Sequence, residues 1–122
     1  MRTINELMSL KGRKAIVTGA TGGLGKTIAT TIVELGGDII LVDRPGSNYS
    51  SLIRELEEKN APYIKFFDCD LEDENERNKL ISRIKLEDSV GLDILINNAA
   101  FVGESKLKGW ATKFEDQSLE TW

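Results

Sequence analysis

The 122-residue sequence predicts an α/β fold: a doubly wound parallel sheet with helices between its strands. Three observations lead there. Short apolar runs alternate with longer segments of helical periodicity. The apolar runs are nearly continuous rather than alternating, as strands buried on both faces of a parallel sheet must be. Glycine and other turn residues close most of the joints.

Taken in order, residues 14–18 (KAIVT) form a β-branched run that ends at Gly19. Residues 24–35 place Leu24, Ile28 and Ile32 at i, i+4 spacing, with Ala29 and Val33 beside them, which is one apolar helix stripe. Gly36 and Gly37 supply a left-handed stop. Residues 38–43 (DIILVD) read as a second buried strand, followed by the turn residues Pro45, Gly46, Ser47 and Asn48. Residues 50–59 carry Leu52, Ile53 and Leu56 on one helical face, and residues 62–68 (PYIKFFD) are a third strand. Residues 72–86 predict a polar helix with Leu80, Ile81 and Ile84 as its inner edge. Gly91 breaks it before a fourth strand at 93–97 (DILIN). With right-handed crossovers, this succession predicts the spatial order 3-2-1-4.

One domain spans 1–122, with 1–10 as a lead-in and 101–122 as a loop region. In that region Trp110 and Phe114 need a surface, and Ser118 caps the start of a further helix. Such a helix has about one turn before Trp122, too little to stand alone, so a continuation is expected.

Composition excludes several functions. Sixteen basic against twenty acidic residues give a net charge of −4, which speaks against a general nucleic-acid binder. No apolar run approaches the roughly 20 residues of a membrane span. The first ten residues do not read as a secretory signal, so a cytoplasmic location is the expectation. Cys69 is the single cysteine and there is no histidine, which rules out an internal disulfide and His-ligated metal. No metal site is expected.

Four segments carry chemistry. The first is Thr18-Gly19-Ala20-Thr21-Gly22-Gly23-Leu24-Gly25, between a strand and a helix. Glycines there allow a sharp turn, close helix–strand packing and the approach of a diphosphate to helix N-terminal amides. The competing reading is a glycine turn without a ligand. The second is Asp43, about 20 residues on, placed to accept from ribose hydroxyls and to repel a 2′-phosphate; this points to NAD over NADP. Arg44 follows it and either stacks on adenine or binds that phosphate. The third is Asp68-Cys69-Asp70-Leu71. Here Asp70 either accepts from an adenine amino group or caps the helix beginning at Glu72. The fourth is Asn97-Asn98-Ala99-Ala100, which would line the crevice between strands one and four, or else is a plain polar strand end.

Together these segments resemble the short-chain dehydrogenase/reductase family and its Rossmann fold. The Thr-Gly-x-x-x-Gly-x-Gly motif is matched by Thr18, Gly19, Gly23 and Gly25. The acid after strand two is matched by Asp43, the Asp-Leu pair by Asp70 and Leu71, and Asn-Asn-Ala-Gly by Asn97, Asn98 and Ala99, with Ala100 in place of the glycine. The resemblance implies cofactor contacts at Gly19, Thr21, Gly22, Gly23, Leu24, Gly25, Asp43, Arg44, Asp70, Leu71, Asn98 and Ala99. It also implies a small-molecule carbonyl or alcohol substrate and a homo-oligomeric full-length form. The family's catalytic Asn, Ser and Tyr-x-x-x-Lys lie past residue 122, so no catalytic residue is assigned within this chain. Tyr49 and Tyr63 have Ile53 and Phe67, not lysine, four residues on. The expectation is a cofactor-binding N-terminal half, inactive alone, with the C-terminal half of the fold missing. The segment from Gly109 to Trp122 resembles members associated with bacterial surface-sugar biosynthesis. Two other readings compete: a non-catalytic nucleotide-binding module or truncated relic, and a methyltransferase using S-adenosylmethionine. An exposed fourth-strand edge speaks against the first of these, and the Asn97–Ala99 run against the second.

Overall fold

The computed structural model describes residues 1–87, 91–100 and 113–116. Its elements run α1 (Ile4–Met8), β1 (Lys14–Thr18), α2 (Gly23–Glu34), β2 (Asp38–Asp43), α3 (Ser50–Glu58), β3 (Ile64–Asp68), α4 (Glu74–Glu87) and β4 (Ile94–Ile96), then a 3-10 turn at Phe114–Asp116. The four strands form one parallel sheet in the order β3-β2-β1-β4, as expected.

The register aligns Ile64, Ile39, Ala15 and Ile94 in one row across the sheet, and Phe66, Leu41, Val17 and Ile96 in another. On this face Ala15, Val17, Ile39 and Leu41 pack against Ala29, Ile32 and Val33 of α2 and Leu52 and Leu56 of α3. The alternate residues Ile16, Ile40, Val42 and Phe67 point to the other face, where they meet Leu80 of α4. Period-two alternation thus serves two helical layers, and β1 and β2 are apolar between their end residues because both of their sides are covered.

Both central helices stop by the same device. Gly36 (φ 85°) ends α2, with its N–H donating to the Val33 carbonyl and the Gly37 N–H to that of Ile32. Asn60 (φ 57°) ends α3 in the same pattern, donating to Glu57 while Ala61 donates to Leu56. Left-handed backbone at that position is where glycine, or failing that asparagine, is tolerated.

Several expectations are corrected. The lead-in 1–10 contains a helix: Thr3 and Glu6 form a reciprocal capping box, the Thr-x-x-Glu signal being present in the sequence. The polar helix starts at 74, not 72. Asp70 folds back on the Glu72 N–H (3.0 Å), while Asp73 accepts from the amides of Asn75 (2.7 Å) and Glu76 (3.3 Å) and so caps α4. Ile81 is not part of the inner edge; it is half exposed, and Leu80 with Ile84 makes the contact. Leu24 leaves the α2 stripe and is largely exposed. Strands three and four are shorter than expected, and they are not buried on both faces: Phe66 and Leu95 are each more than half exposed. The readings of Trp110, of a helix begun by Ser118 and of a substrate loop over 101–122 fall outside the described residues except for 113–116, and so does the packing of the Phe114 side chain.

Candidate functional site

The chain following β1, β2, β3 and β4 converges at the carboxyl edge of the sheet on an open cleft of about 870 Å³. All twelve residues singled out from the sequence line it: Gly19, Thr21, Gly22, Gly23, Leu24 and Gly25 from the first turn, Asp43 and Arg44 from the second, Asp70 and Leu71 from the third, Asn98 and Ala99 from the fourth. Cys69, Glu72 and Ala100 complete the wall.

The glycines of the first turn do different work. Gly19 is left-handed (φ 63°), and a Cβ there would sit 2.9 Å from the Ala99 Cα. A Cβ on Gly25 would sit 2.2 Å from the Gly19 carbonyl oxygen, so α2 packs onto the turn only because residue 25 has no side chain. Gly23 is under no such constraint, since a Cβ there meets nothing of the chain within 4 Å. Gly22 is the N-cap of α2 and offers no side-chain cap, nor does an acidic residue stand in the first turn. The positive end of the helix dipole and its first amides are therefore left for an outside anion. An open glycine beside an uncapped helix start is a fit for a diphosphate.

Asp43 ends β2 and reaches across to the turn. Its Oδ2 accepts from the Thr21 N–H (2.8 Å) and the Thr21 hydroxyl (2.7 Å), and its Oδ1 from the Arg44 N–H (2.8 Å). Burial pushes its carboxyl up, but the hydrogen bonds from Thr21, Arg44 and the Ser47 hydroxyl outweigh that and hold it below the ordinary aspartate value. It is an anion at neutral pH. Among the described residues the Arg44 guanidinium has no ion pair or hydrogen bond.

Asn98 and Ala99 are fixed by Thr18. The Thr18 hydroxyl accepts from the amides of Asn98 (3.1 Å) and Ala99 (3.0 Å), and the Asn98 Nδ2 donates to the carbonyls of Thr18 (3.0 Å) and Gly19 (3.2 Å). The carboxamide nitrogen of Asn98 thus ties the end of β4 to the glycine turn, a positioning function the sequence reading did not anticipate. Thr18 itself was read only as part of the motif; its buried hydroxyl is what joins the two strand ends.

Asp70 takes the local turn contact described above, and its own N–H donates to Glu76 Oε2 (2.6 Å). Between the two roles weighed for it, helix capping belongs to Asp73 instead. Burial pushes the Cys69 thiol up, and the Glu76 and Asp70 carboxylates add to that, so it stays protonated and inert. Tyr49 is buried, donates to the Phe67 carbonyl (3.0 Å), and has its phenol pushed upward by burial and by Asp68. It is a packing residue, not a proton donor for the cleft. No group of His, Cys, Asp and Glu among the described residues has the arrangement of a metal site.

A parallel 3-2-1-4 sheet whose first strand feeds a glycine turn and a helix is a Rossmann-type fold. Residues 13–122 match the short chain dehydrogenase family, and the chain belongs to that family. It is 32% identical over 110 residues to human dehydrogenase/reductase SDR family member 11, a match covering 85% of this chain and 42% of that protein. It is 35% identical over 101 residues to 2-dehydro-3-deoxy-D-gluconate 5-dehydrogenase of Pseudoalteromonas atlantica, covering 80% and 38%. Among solved structures, L-sorbose reductase of Gluconobacter frateurii, complexed with NADPH and L-sorbose, superposes with a TM-score of 0.72 at 25% identity, over 94% of this chain and 41% of that one. A metagenomic short-chain oxidoreductase in complex with NADP gives 0.70 at 27%, over 75% and 40%. The chain therefore spans less than half the length of these relatives.

Proposed function

We propose that this chain is the dinucleotide-binding part of an oxidoreductase that transfers hydride between a nicotinamide cofactor and a small carbonyl or alcohol compound, and that it takes NAD in preference to NADP. The observation that carries this reading is the juxtaposition, in one cleft, of an uncapped glycine-rich helix start and an ionised Asp43. The amides at Gly22–Gly25 would receive the diphosphate. Asp43 would accept from the adenosine ribose and repel a 2′-phosphate. Asp70 and Leu71 would flank the adenine, while Asn98 and Ala99 would border the path toward the nicotinamide. A bound nicotinamide would supply or accept the hydride; the chain's own share is to bind and orient it.

The family's proton-transfer residues are not among residues 1–122, where neither tyrosine precedes lysine by four positions. The reading therefore assigns proton transfer to none of these 122 residues and gives them no turnover alone. The relatives named above act on a sugar acid and on sorbose, by their names; for this chain the class of substrate is taken no further than a carbonyl or alcohol. A cytoplasmic, homo-oligomeric full-length protein is part of the same reading.

The two structural relatives described above hold NADP or NADPH, and Arg44 lines the cleft beside Asp43, which is the observation favouring the alternative. Calorimetric titration of the chain with NAD and NADP decides between them. NAD is expected to bind more tightly, and Asp43→Ala is expected to narrow the gap. Tighter NADP binding by the unaltered chain would give the selectivity to Arg44, and binding of neither would remove the cofactor reading.

A further inference from the structure

An ionised carboxylate offers about four acceptor sites, two on each oxygen. In Asp43, Oδ2 is filled by two donors from one residue, the N–H and the hydroxyl of Thr21, at 2.8 and 2.7 Å. Oδ1 takes the Arg44 N–H at 2.8 Å. Two of these donors are backbone amides, held in place by the strand end and the turn. The third is the Thr21 hydroxyl, on a single-bond rotor. A vicinal diol brings two hydroxyl donors of its own, one for each oxygen, and the site it needs on Oδ2 opens only where the Thr21 hydroxyl gives way.

We propose that the Thr21 hydroxyl is an internal stand-in for a ribose hydroxyl, holding the Asp43 carboxylate in place and yielding its acceptor site when a ribose diol binds. This rests on the cofactor reading above and adds a specificity-determining residue to it. Thr21 sits in the glycine turn and Asp43 at the end of the neighbouring strand, 22 residues away, so the exchange couples recognition of the sugar to the segment that receives the diphosphate. The cost of breaking the Thr21 bond is subtracted from the affinity of every diol ligand. A ligand without the diol does not incur it.

The test uses the full chain and titrates ADP, its 2′,3′-dideoxy analogue and NAD into the wild type, Thr21→Val, Thr21→Ala and Thr21→Ser. Removing one competing hydrogen bond is expected to tighten ADP and NAD by about 2- to 10-fold in the Val and Ala variants. The dideoxy analogue should bind all four proteins alike, and the Ser variant should match the wild type. Two hydroxyl-free variants are used so that misfolding of the bulkier one leaves the other to decide. Unchanged or weaker ADP binding in a folded Val or Ala variant, or an equal gain for the dideoxy analogue, would overturn the proposal while leaving the cofactor reading intact. Failure of the wild type to bind either ADP or NAD would overturn both.

Discussion

Among the described residues, eleven buried ones form one cluster on the side of the sheet covered by α2 and α3, with Ala15, Val17, Ile39 and Leu41 at zero exposure. On the side covered by α4, six do, and Leu95 of β4 stands 59% exposed. The helices account for much of the contrast. From α2 come Ala29, Ile32 and Val33, and from α3 Leu52 and Leu56, whereas the 14-residue α4 buries Leu80 alone. Cover therefore differs along the sheet: β1 and β2 have two layers, β3 and β4 have less, and apolar character alone does not report it, since β4 is Ile-Leu-Ile with Leu95 exposed. The cleft lies at the carboxyl edge of this sheet and borders both sides: Ala20, in the glycine turn after β1, belongs to the larger cluster, and Cys69, in the cleft wall, to the smaller.

Truncating one leucine on each face would break this contrast most directly. Leu41→Ala or Leu56→Ala should cost about 2–5 kcal/mol in urea unfolding, and Leu80→Ala should fall at or below the lower end of that range. Equal losses would mean that the α4 layer is as tightly packed as its opposite. Next in size, Gly25→Ala drives a Cβ into the backbone of Gly19 and Ala20 and should cost about 1–3 kcal/mol. Gly23→Ala meets open space, so it should leave the unfolding midpoint essentially unchanged or slightly raised while weakening NAD in a titration. That pair separates the glycine the fold needs from the glycine a diphosphate would need. Smaller again, Asn60→Val places a branched side chain in left-handed backbone and should cost roughly 1–2 kcal/mol by thermal melting.

The pH response sharpens the same picture. The folded-state value of Asp43 lies below its unfolded one, so its contribution to stability is complete above the unfolded value, about 3.9, and is lost as the pH falls through the lower folded value. Asp43→Asn should flatten that acid limb in urea midpoints measured from about pH 5 down to pH 2. The least effect is expected at the exposed Lys59–Glu34 pair (2.6 Å), where Lys59→Met should leave the melting temperature within error.

Much of the site was legible because its signals are local. The glycine spacing after a β-branched run, the stop at Gly36–Gly37 and the runs of Leu, Ile and Val each depend on residues within a turn or a strand of one another. The Thr3-x-x-Glu6 capping box was equally local and was passed over. Asp73 was missed as the cap of α4 because Asp70 and Asp73 are chemically identical candidates three residues apart; the choice between them turned on the backbone at Leu71 and Glu72. Leu24 fitted the apolar stripe of α2 by spacing, yet the first turn of that helix lies over the cleft, beyond the core.

By itself the sequence determined the order of the elements, their types and the places where the chain turns, because backbone propensity, side-chain periodicity and glycine sterics act between near neighbours. The tertiary structure decided which hydroxyl holds Asp43, that Thr18 and Asn98 lock β1 to β4, and which strands are covered on both sides. Those contacts join residues 22 to 81 positions apart, and only the folding of the chain brings such partners within hydrogen-bonding distance.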